Sequence, residues 1–582
     1  MLQAVRSAVL NAIHKIKPDI NISQDGILVD KPKDCTLGDI CTNAAMVFAK
    51  QIGTTPHELA NMICQELMQN SNVLDTSIAG YGFVNIKVCN DYWRNLINRI
   101  ILEGNEFSVT SNISNNDKLN IEFVSANPTG PLHTGHARNA VFGSVSANLL
   151  EKIGYNVIRE FYINDQGNQI KYLAKSVYLR YIELLGETIS EDQFGPDMYC
   201  GEYIKDVAQK VLNKYGNQFL NKEESEWLEP LCHFSMECLL DNIKSDLKDL
   251  GVVFDIYTSE AELCKKGLVN EALNLLIEHN DIYEGVLPKP KGTSKEDWEE
   301  RPQILFKSTK YGDDVDRAIK KSDGTWTYFA GDLAYHLDKI RRGYNKMLLV
   351  LGADHNGYVK RMKAAVSALS NNKANIEIRL YQLVNFLENG IPVRMSKRKG
   401  HFITLKEVVD RVGKDVTRYM MVSRHHDVMI DFDFVKAVEF SMDNPLFYIQ
   451  YAHARICSVF KYYKEIFNVD ISYRDLLQVN KSSLCDEAEI NLIKQLSFWP
   501  EQVKSAAIAI EPHRIPTYLR GIASALHSLW SKGKSEEQLR FINKNDKEKT
   551  LAKLSLLKAT QVVLSDGLNL LGITPLLEMT KD

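Results

Sequence analysis

Several features that define specialised classes of protein are missing from this chain of 582 residues. None of its 10 cysteines forms a CxxC pair, and they lie too far apart for the disulfide framework of a small secreted domain. No apolar run approaches the roughly 18 residues that a membrane span requires. No low-complexity tract or internal repeat is present, which excludes collagen-like, mucin-like and coiled-coil chains.

An excess of charge of one sign is also missing. The chain has 70 Lys and Arg residues against 74 Asp and Glu residues, a net charge of -4, so it lacks the basic footprint common in nucleic-acid binders. Hydrophobic residues make up 45% and charged residues 25%, which is typical of globular proteins. We expect a soluble, cytoplasmic monomer with reduced thiols, no targeting segment and no membrane partner.

Hydrophobic periodicity predicts three domains. Residues 1–112 combine a helical pattern with an alternating, strand-like stretch and predict a small α+β domain. Residues 113–440 alternate apolar runs with helical periods, which indicates a Rossmann-type α/β domain with a parallel sheet, interrupted by a helical insertion at about 175–300. Residues 441–582 are helical in period throughout and predict an all-α domain.

Five apolar runs of the α/β domain are candidate strands of that parallel sheet. They cover residues 119–124, 157–163, 304–307, 347–351 and 376–383. The first is followed by a Pro/Gly turn, the sequence HTGH and a helical pattern, so the histidines are expected where a strand end meets a helix N-terminus.

That position suits phosphate groups, because unpaired backbone N–H groups and the helix dipole attract anions there. Gly135 keeps side-chain bulk away from a nucleotide, and His133 and His136 can donate hydrogen bonds to phosphoryl oxygens. Considered alone, an HxxH pair is more often a pair of packing or surface histidines. A zinc-protease site is excluded because no Glu follows the first histidine and no cysteine is near.

A second motif, VRMSKRKG at residues 393–400, turns the HTGH pattern into a stronger signal. Together they resemble the HIGH and KMSKS signatures of class I aminoacyl-tRNA synthetases. Longer strings, namely ANPTGPLHTGH at 126–136, TYFAGDLAYH at 327–336, LGADHNGY at 351–358 and YIQYAHAR at 448–455, resemble the bacterial type of the arginyl-tRNA synthetase family. The resemblance extends over essentially the whole chain.

The resemblance implies that arginine and ATP form arginyl-adenylate and pyrophosphate, and that the arginyl group then passes to the 3′ end of tRNA(Arg). It implies His133, His136 and Lys397 as catalytic residues that stabilise charge on the phosphates, with Mg²⁺ accompanying ATP and no structural metal. The residues that it implies for ATP binding are Pro128, Gly130, Leu132, His133, Gly135, His136, Gly352, Asp354, His355, Met395, Ser396 and Lys397.

The second motif departs from KMSKS at two positions. Arg394 replaces the first lysine and Arg398 replaces the final serine, whereas Lys397 is retained. A guanidinium hydrogen-bonds differently from an ammonium group, so the role of Arg394 stays open. With Lys399, the two arginines add to the positive field of this loop.

Selection of arginine requires carboxylates, because the planar guanidinium carries five donors that a carboxylate matches in bidentate fashion. The resemblance implies that Tyr328 and Asp332 face the guanidinium and that Glu260 adds a second carboxylate. It implies that Glu122, Ser125 and Asn127 hold the α-amino end of the substrate. Without the resemblance, Asp332 would be a helix-terminal or surface carboxylate.

Two further observations bear on tRNA. Tyr448, Tyr451 and Arg455 are spaced to share one face of a helix, as expected of a platform on which unpaired anticodon bases stack. The same stripe also suits packing against another element. The resemblance assigns the helical domain to the anticodon arm and residues 1–112 to the corner of the tRNA.

Two alternatives stay open from the sequence. One is another class I synthetase or a simpler nucleotidyltransferase; the flanking domains argue against the transferase, and the pair Tyr328 and Asp332 argues against an apolar amino acid. The other is a non-catalytic RNA-binding relative. Retention of His133, His136 and Lys397 argues against it.

Overall fold

The computed structural model describes residues 2–19, 27–32, 34–109, 117–287, 301–393 and 403–579. Within these ranges, no helix is both long enough and apolar enough to cross a membrane. The architecture agrees with the expected α/β domain with a parallel sheet, flanked by an N-terminal α+β part and a C-terminal helical part.

In its described residues, the N-terminal part contains four α-helices and a four-stranded antiparallel sheet of order β1-β2-β4-β3. Its elements are α1 (Leu2–Ile16), β1 (Val29–Asp30), β2 (Ile40–Thr42), α2 (Ala44–Ile52), α3 (Pro56–Leu67), β3 (Val73–Ala79), β4 (Phe83–Val88) and α4 (Asn90–Glu103). The start of α3 is fixed by the local sequence. Thr55 and Glu58 form a reciprocal capping box, and Pro56 occupies the first helical position.

The central part alternates strands and helices. Its first half consists of β5 (Lys118–Glu122), α5 (Thr134–Lys152), β6 (Asn156–Ile163), α6 (Asn168–Leu184), α7 (Glu202–Tyr215), α8 (Glu224–Asp249), β7 (Ile256–Ser259), α9 (Glu260–Lys265), α10 (Leu268–Glu278) and β8 (Ile282–Gly285). Its second half consists of β9 (Gln303–Phe306), β10 (Arg317–Lys320), α11 (Tyr328–Arg341), β11 (Lys346–Gly352), α12 (Tyr358–Ser370), β12 (Asn375–Tyr381), β13 (Val384–Glu388), β14 (Ile391–Pro392), α13 (Leu405–Val412), α14 (Lys414–Met421), β15 (Ile430–Asp433) and α15 (Phe434–Ala437).

The C-terminal part is helical throughout its described residues. Its helices are α16 (Pro445–Phe467), α17 (Tyr473–Gln478), α18 (Glu487–Ser497), α19 (Trp499–Ala509), α20 (Arg514–Ser535) and α21 (Lys547–Leu570). Asn444 caps α16 by accepting hydrogen bonds from two backbone N–H groups of the first turn, and Pro445 follows at the first helical position.

The central parallel sheet has five strands in the order β12-β11-β5-β6-β7. The chain runs from β5 outward through β6 to β7 and later returns to place β11 on the other side of β5. Strand order therefore reverses between β5 and β11. In open α/β sheets, ligands bind at such a switch point, outside the carboxyl ends of the strands.

Two sequence expectations about this sheet are wrong in detail. The run 304–307 was expected in the parallel sheet, but β9 pairs antiparallel with β8 and β10 in a separate three-stranded sheet. The expected helical insertion of about 175–300 is also interrupted by a strand, because β7 pairs with β6 at the edge of the parallel sheet between helices α8 and α9. A four-residue strand contains too few residues to establish a period of two.

The apolar core follows this layout. One cluster runs from the N-terminal part through one face of the parallel sheet into the helical C-terminal part, and includes Trp93, Phe123 and Trp499. A second covers the opposite face of the sheet under α11 and α12. A third lies within α6, α7 and α8. The first cluster is continuous and packs α5 against both flanking parts of the molecule.

Candidate active site

The turn between β5 and α5 has an unusual backbone. Val124 and Ser125 have φ values of 65° and 40°, a region that residues with a side chain seldom adopt. The Asn139 side chain accepts a hydrogen bond from the Val124 N–H at 2.9 Å, and Ser125 Oγ accepts one from the Tyr162 N–H at 3.1 Å. These contacts from α5 and β6 hold the chain in a sharp turn at the end of β5.

The two histidines cap the start of α5 for each other. His133 Nδ1 accepts a hydrogen bond from the Gly135 N–H at 3.0 Å, and His136 Nδ1 accepts one from the His133 N–H at 3.2 Å. Their rings stack with centroids 3.9 Å apart. Because each Nδ1 is an acceptor, a neutral ring carries its proton on Nε2, so each Nε2–H is a donor.

Glycine is required between these rings. A Cβ atom on Gly135 would lie 2.8 Å from Cε1 of His133, closer than real Cβ contacts. Of the other residues expected to bind ATP in this turn, Pro128 and Leu132 are buried, and Gly130 faces the Tyr203 hydroxyl, which donates to the Thr129 carbonyl at 3.0 Å.

The segment that follows the basic motif is joined directly to this turn. The Thr134 N–H donates to the Ile403 carbonyl at 3.2 Å, and the Leu405 N–H donates to the Leu132 carbonyl at 2.8 Å. His133 and Thr404 form an antiparallel bridge. The motif residues Arg394, Met395, Ser396, Lys397, Arg398 and Lys399 lie outside the described residues.

The loop after β11 flanks the same crevice. Gly352 ends β11 and precedes a short turn, Ala353–His355, in which Asp354 and His355 are exposed. A Cβ on Gly352 would collide with the Asp354 carboxylate. Three of the residues expected to bind ATP thus stand across the switch point from the histidine turn.

The carboxylate that ends β5 is buried and paired. Glu122 is 6% exposed, and its Oε2 accepts a hydrogen bond from Lys339 Nζ at 2.6 Å. Its Oε1 accepts one from Ser125 Oγ at 3.1 Å. Both oxygens therefore have partners within the protein, which limits how far Glu122 can serve a substrate directly.

Asp332 and Glu260 form an acidic pair beside it. Burial and the neighbouring charges of Glu122 and Glu260 raise the pKa of Asp332 to about 7. Burial and the Asp165 charge raise the pKa of Glu260, which the Tyr162 hydroxyl partly offsets by hydrogen bonding. Carboxylates that repel one another in a half-buried space are an electrostatic match for an incoming cation.

The structure does not bring all the expected arginine-binding residues together. Tyr328 is the first residue of α11 and is 87% exposed, unlike Asp332 one turn later. Asn127 is also exposed, and its amide donates to the Gln169 side chain at 3.0 Å. Glu122 is hydrogen-bonded to Ser125, and Asp332 is close enough to Glu122 and Glu260 for their charges to raise its pKa.

Three residues beside these carboxylates were not predicted from the sequence as part of the site. Tyr162 of β6 stacks on Tyr335 of α11 with ring centroids 4.3 Å apart, and Lys339 lies 4.0 Å from the Tyr335 ring centroid. On α11, Asp332, Tyr335 and Lys339 are three and four residues apart and share one face. The spacing on α11 could have predicted that Tyr335 and Lys339 lie on the same face as Asp332. The contact of Tyr162 with Tyr335 could not be predicted, because it depends on how the strands pair.

In the helical part, the aromatic stripe of α16 packs against α20. The Tyr448 ring lies 4.6 Å from the His527 ring, and the Arg455 guanidinium lies 4.0 Å above the Trp530 ring and 4.8 Å from the Tyr451 ring. Tyr448, Tyr451 and Arg455 are all half-buried. The structure therefore brings them together on one face, where they also contribute to helix packing.

Family models match three consecutive parts of the chain. Residues 3–88 match the arginyl tRNA synthetase N terminal domain, residues 96–449 match the catalytic domain of class I (R) tRNA synthetases, and residues 449–579 match the DALR anticodon binding domain. The first match ends with β4, the second begins within α4, and the third begins within α16.

Curated relatives match from end to end. The arginine–tRNA ligase of Wolbachia sp. subsp. Brugia malayi is 45% identical and aligned over 100% of both chains. That of Parvibaculum lavamentivorans is 46% identical over 95% of this chain and 94% of its own. The solved Thermus thermophilus arginyl-tRNA synthetase has a TM-score of 0.74 at 19% identity and covers 100% of each chain, a likeness of fold.

Proposed function

The chain belongs to the arginyl-tRNA synthetase family and is an arginine–tRNA ligase, and from that premise we propose how its described residues carry out the reaction. The observation that carries the proposal is the switch-point crevice. It has a histidine-capped helix N-terminus after β5, and the carboxylate that ends β5, Glu122, interacts electrostatically with Asp332, as does Glu260.

Adenylate formation places the α-phosphate of ATP at the N-terminus of α5. The positive end of this 19-residue helix and the two imidazole Nε2–H donors face charge that builds up as the arginine carboxylate attacks. The reciprocal Nδ1 contacts orient both rings before substrate binds. Little reorganisation is then needed in the transition state.

Lys397 acts on the leaving pyrophosphate in this scheme. Its segment re-enters the described structure at Ile403, which pairs with Thr134 in the histidine turn. This pairing supports a role beside the phosphates, because it ties the C-terminal flank of the basic motif to the catalytic helix. Gly352, Asp354 and His355 border the adenosine from the opposite side of the switch point.

Asp332 and Glu260 bind the arginine guanidinium. Repulsion among Asp332, Glu260 and Glu122 is relieved when a cation enters, which favours arginine over neutral side chains of similar length. Lys339 neutralises Glu122, so we assign Glu122 to shaping the pocket and orienting Ser125. Tyr162 and Tyr335 supply an aromatic wall beside the cation.

Mg²⁺ enters as the partner of ATP. Among the described residues, the one group of three potential metal ligands is His425, Glu511 and His513, and it contains no residue of the histidine turn. In this scheme the triphosphate itself holds the ion. Mg²⁺ would supply charge neutralisation on the phosphates.

Transfer to tRNA(Arg) involves the flanking parts. We assign the corner of the tRNA to residues 1–112 and the anticodon to the helical domain, 441–582, with Tyr448, Tyr451 and Arg455 at the edge of a base-stacking surface. The protein acts as a monomer in this scheme. The described cysteines are all unpaired, which suits a reducing compartment such as the cytoplasm.

ATP–pyrophosphate exchange with each of the twenty amino acids, with and without unfractionated tRNA, tests the proposal. We expect exchange with arginine alone, and only when tRNA is present. Exchange with another amino acid would reject the roles of Asp332 and Glu260 while leaving the histidine turn intact. Folded protein without exchange under any condition would favour the non-catalytic RNA-binding alternative.

A further inference from the structure

A cluster of three potential metal ligands lies where the central part meets the helical part. His425 belongs to the segment between α14 and β15, whereas Glu511 and His513 belong to the turn between α19 and α20. We call these three residues the histidine cluster. Its members stand in two segments far apart in the chain, without a recognised zinc-motif spacing, so the sequence predicted no metal here.

The ligand atoms of the cluster are close together. One atom from each of the three side chains lies within 4.8 Å of the other two. His425 Nε2 and Glu511 Oε1 are 3.5 Å apart. Ligand atoms at the about 2.0–2.1 Å distances of a tetrahedral zinc site are separated by about 3.3 Å. The 3.5 Å between His425 Nε2 and Glu511 Oε1 is close to that spacing, and the third ligand atom lies within 4.8 Å of both.

Neighbouring side chains orient two of the ligands. His425 Nδ1 contacts Asp427 Oδ1, which leaves Nε2 directed at Glu511. A carboxylate that accepts from the second ring nitrogen of a metal-binding histidine is a recurrent outer-shell arrangement. Arg514 contacts Glu511 Oε2, so Oε1 is the oxygen that faces His425.

His513 supplies the independent observation that points to a ligand. Among the described residues, no hydrogen-bond partner reaches its buried Nδ1 atom. A buried imidazole nitrogen without a partner is costly unless another group satisfies it. Its ring is 4.8 Å from the His425 ring, and His513 also lines a cavity of about 1250 Å³ between the N-terminal and helical parts.

We propose that His425, Glu511 and His513 bind one Zn²⁺ ion, with water completing the coordination. Two imidazoles and one carboxylate form a donor set that suits Zn²⁺ better than Mg²⁺ or Ca²⁺, which prefer oxygen ligands alone. No chemistry is assigned to the ion. It joins two segments that belong to different parts of the molecule.

This position links the ion to the catalytic helix. Arg138 of α5 donates to the carbonyl oxygens of His425 and Val428, each at 2.8 Å, and to that of Gln382 at 2.7 Å. The segment that carries His425 is therefore held by the helix that begins at the histidine turn. Bound Zn²⁺ would link the α19–α20 turn to the same segment. It would thereby restrict movement between the central part and the helical part of the molecule.

Direct binding of zinc chloride to the full chain, stripped with EDTA, tests the proposal by calorimetry. We expect one Zn²⁺ per chain at micromolar affinity or tighter, and a loss of about tenfold or more in His425→Gln and His513→Gln. His233→Gln, which removes an exposed histidine on α8, is the matched control and should bind as the wild type does. Thermal unfolding of each variant checks that it is folded.

Co²⁺ gives a readout that needs no variant. The wild-type chain should develop the visible absorption bands of a tetrahedral site with nitrogen ligands, and Glu511→Gln should alter them. Equal zinc affinity and stoichiometry in wild type and His513→Gln would identify an adventitious ion only and overturn the proposal. Absence of binding at about 100 µM free Zn²⁺ would overturn it as well. Neither readout depends on aminoacylation, so failure here leaves the proposed function untouched.

Discussion

At the start of α5, two histidine side chains do what a Ser or Thr and a Glu do in an ordinary capping box. The backbone contacts of their Nδ1 atoms set the tautomer and the orientation of both rings at once. In the proposed mechanism, helix capping and phosphate binding therefore use the same two residues. A change that disturbs the cap should disturb the chemistry even when it leaves both imidazoles in place.

Gly135→Ala tests this dependence at the scale of one methyl group. The added Cβ would press on the His133 ring, which must rotate away from its contact with the Gly135 N–H. We expect the rate of arginine-dependent pyrophosphate exchange to fall by about tenfold or more, because the donors are displaced from the phosphate. Steady-state exchange measures this.

Gly521→Ala is the matched control. Gly521 lies in α20, where a Cβ meets nothing within 4 Å, so alanine should leave exchange unchanged and slightly stabilise the helix. Full activity of Gly135→Ala, with folding intact, would separate helix capping from catalysis.

The raised pKa of Asp332 predicts a pH-dependent affinity for arginine. The carboxyl group is protonated below its pKa of about 7, and a guanidinium binds the ionised form, so the KM for arginine should rise as the pH falls below 7. Asp332→Asn should raise this KM by about tenfold or more and flatten its pH dependence.

Initial-rate kinetics across the neutral range, with tRNA present, would measure both effects. Asp314→Asn removes an exposed carboxylate that pairs with Lys360 and should leave the arginine KM as it is. A wild-type KM that is constant from pH 6 to 8 would contradict the electrostatic assignment.

At the scale of elements, one buried arginine joins four helices. Arg418 of α14 donates to the carbonyl oxygens of Leu250 and Gly251 after α8, to that of Leu571 after α21, and to Ser144 Oγ of α5. Burial lowers the pKa of Arg418 to about 10. A cation is favourable at the C-termini of α8 and α21, where carbonyl groups carry the negative end of the helix dipole.

Arg418→Lys should therefore destabilise the packing of these helices. An ammonium group cannot match the fork of a guanidinium, so buried carbonyl groups lose their donors. We expect the free energy of unfolding to fall by about 2–4 kcal/mol. Equilibrium unfolding in urea measures this, and Arg474→Lys on exposed α17 should change the value by less than about 0.5 kcal/mol.

At the scale of the whole molecule, Asp566 of α21 connects its three parts. Its carboxylate accepts hydrogen bonds from Ser108 Oγ at 2.5 Å, Lys152 Nζ at 2.9 Å and Trp499 Nε1 at 2.8 Å. Ser108 precedes the parallel sheet, Lys152 ends the catalytic helix α5, and Trp499 begins α19. One buried side chain thereby couples the catalytic helix to both flanking parts.

Asp566→Ala should destabilise the whole chain by about 3–5 kcal/mol, because it leaves a partly buried ammonium group and an indole N–H without their acceptor. Thermal and urea unfolding measure the loss. Asp470→Ala removes an exposed pair with Lys464 and should cost about 0–1 kcal/mol. Similar losses in the two variants would contradict the connecting role of Asp566.

Hydrophobic periodicity was sufficient to predict the α/β architecture, and the strand–turn–helix order was sufficient to predict His133 at the start of a helix. Strand β5, a glycine turn and the N-terminus of α5 follow one another within residues 118 to 134, so the position of His133 and His136 could be predicted from local sequence. The same holds for Asp332, Tyr335 and Lys339, which one helix places on one face. The residues that share a helix face follow from their spacing along the chain, so they can be predicted without a structure.

Contacts between distant segments could not be predicted in this way. The pairing of Ile403 with Thr134, the neutralisation of Glu122 by Lys339, and the meeting of His425 with Glu511 and His513 all depend on which elements the sheet and helices bring together. The sequence by itself determined the elements, their chemistry and the family. Tertiary packing alone decided which charges are buried, which are paired and which surround a ligand, because those properties belong to neighbours in space.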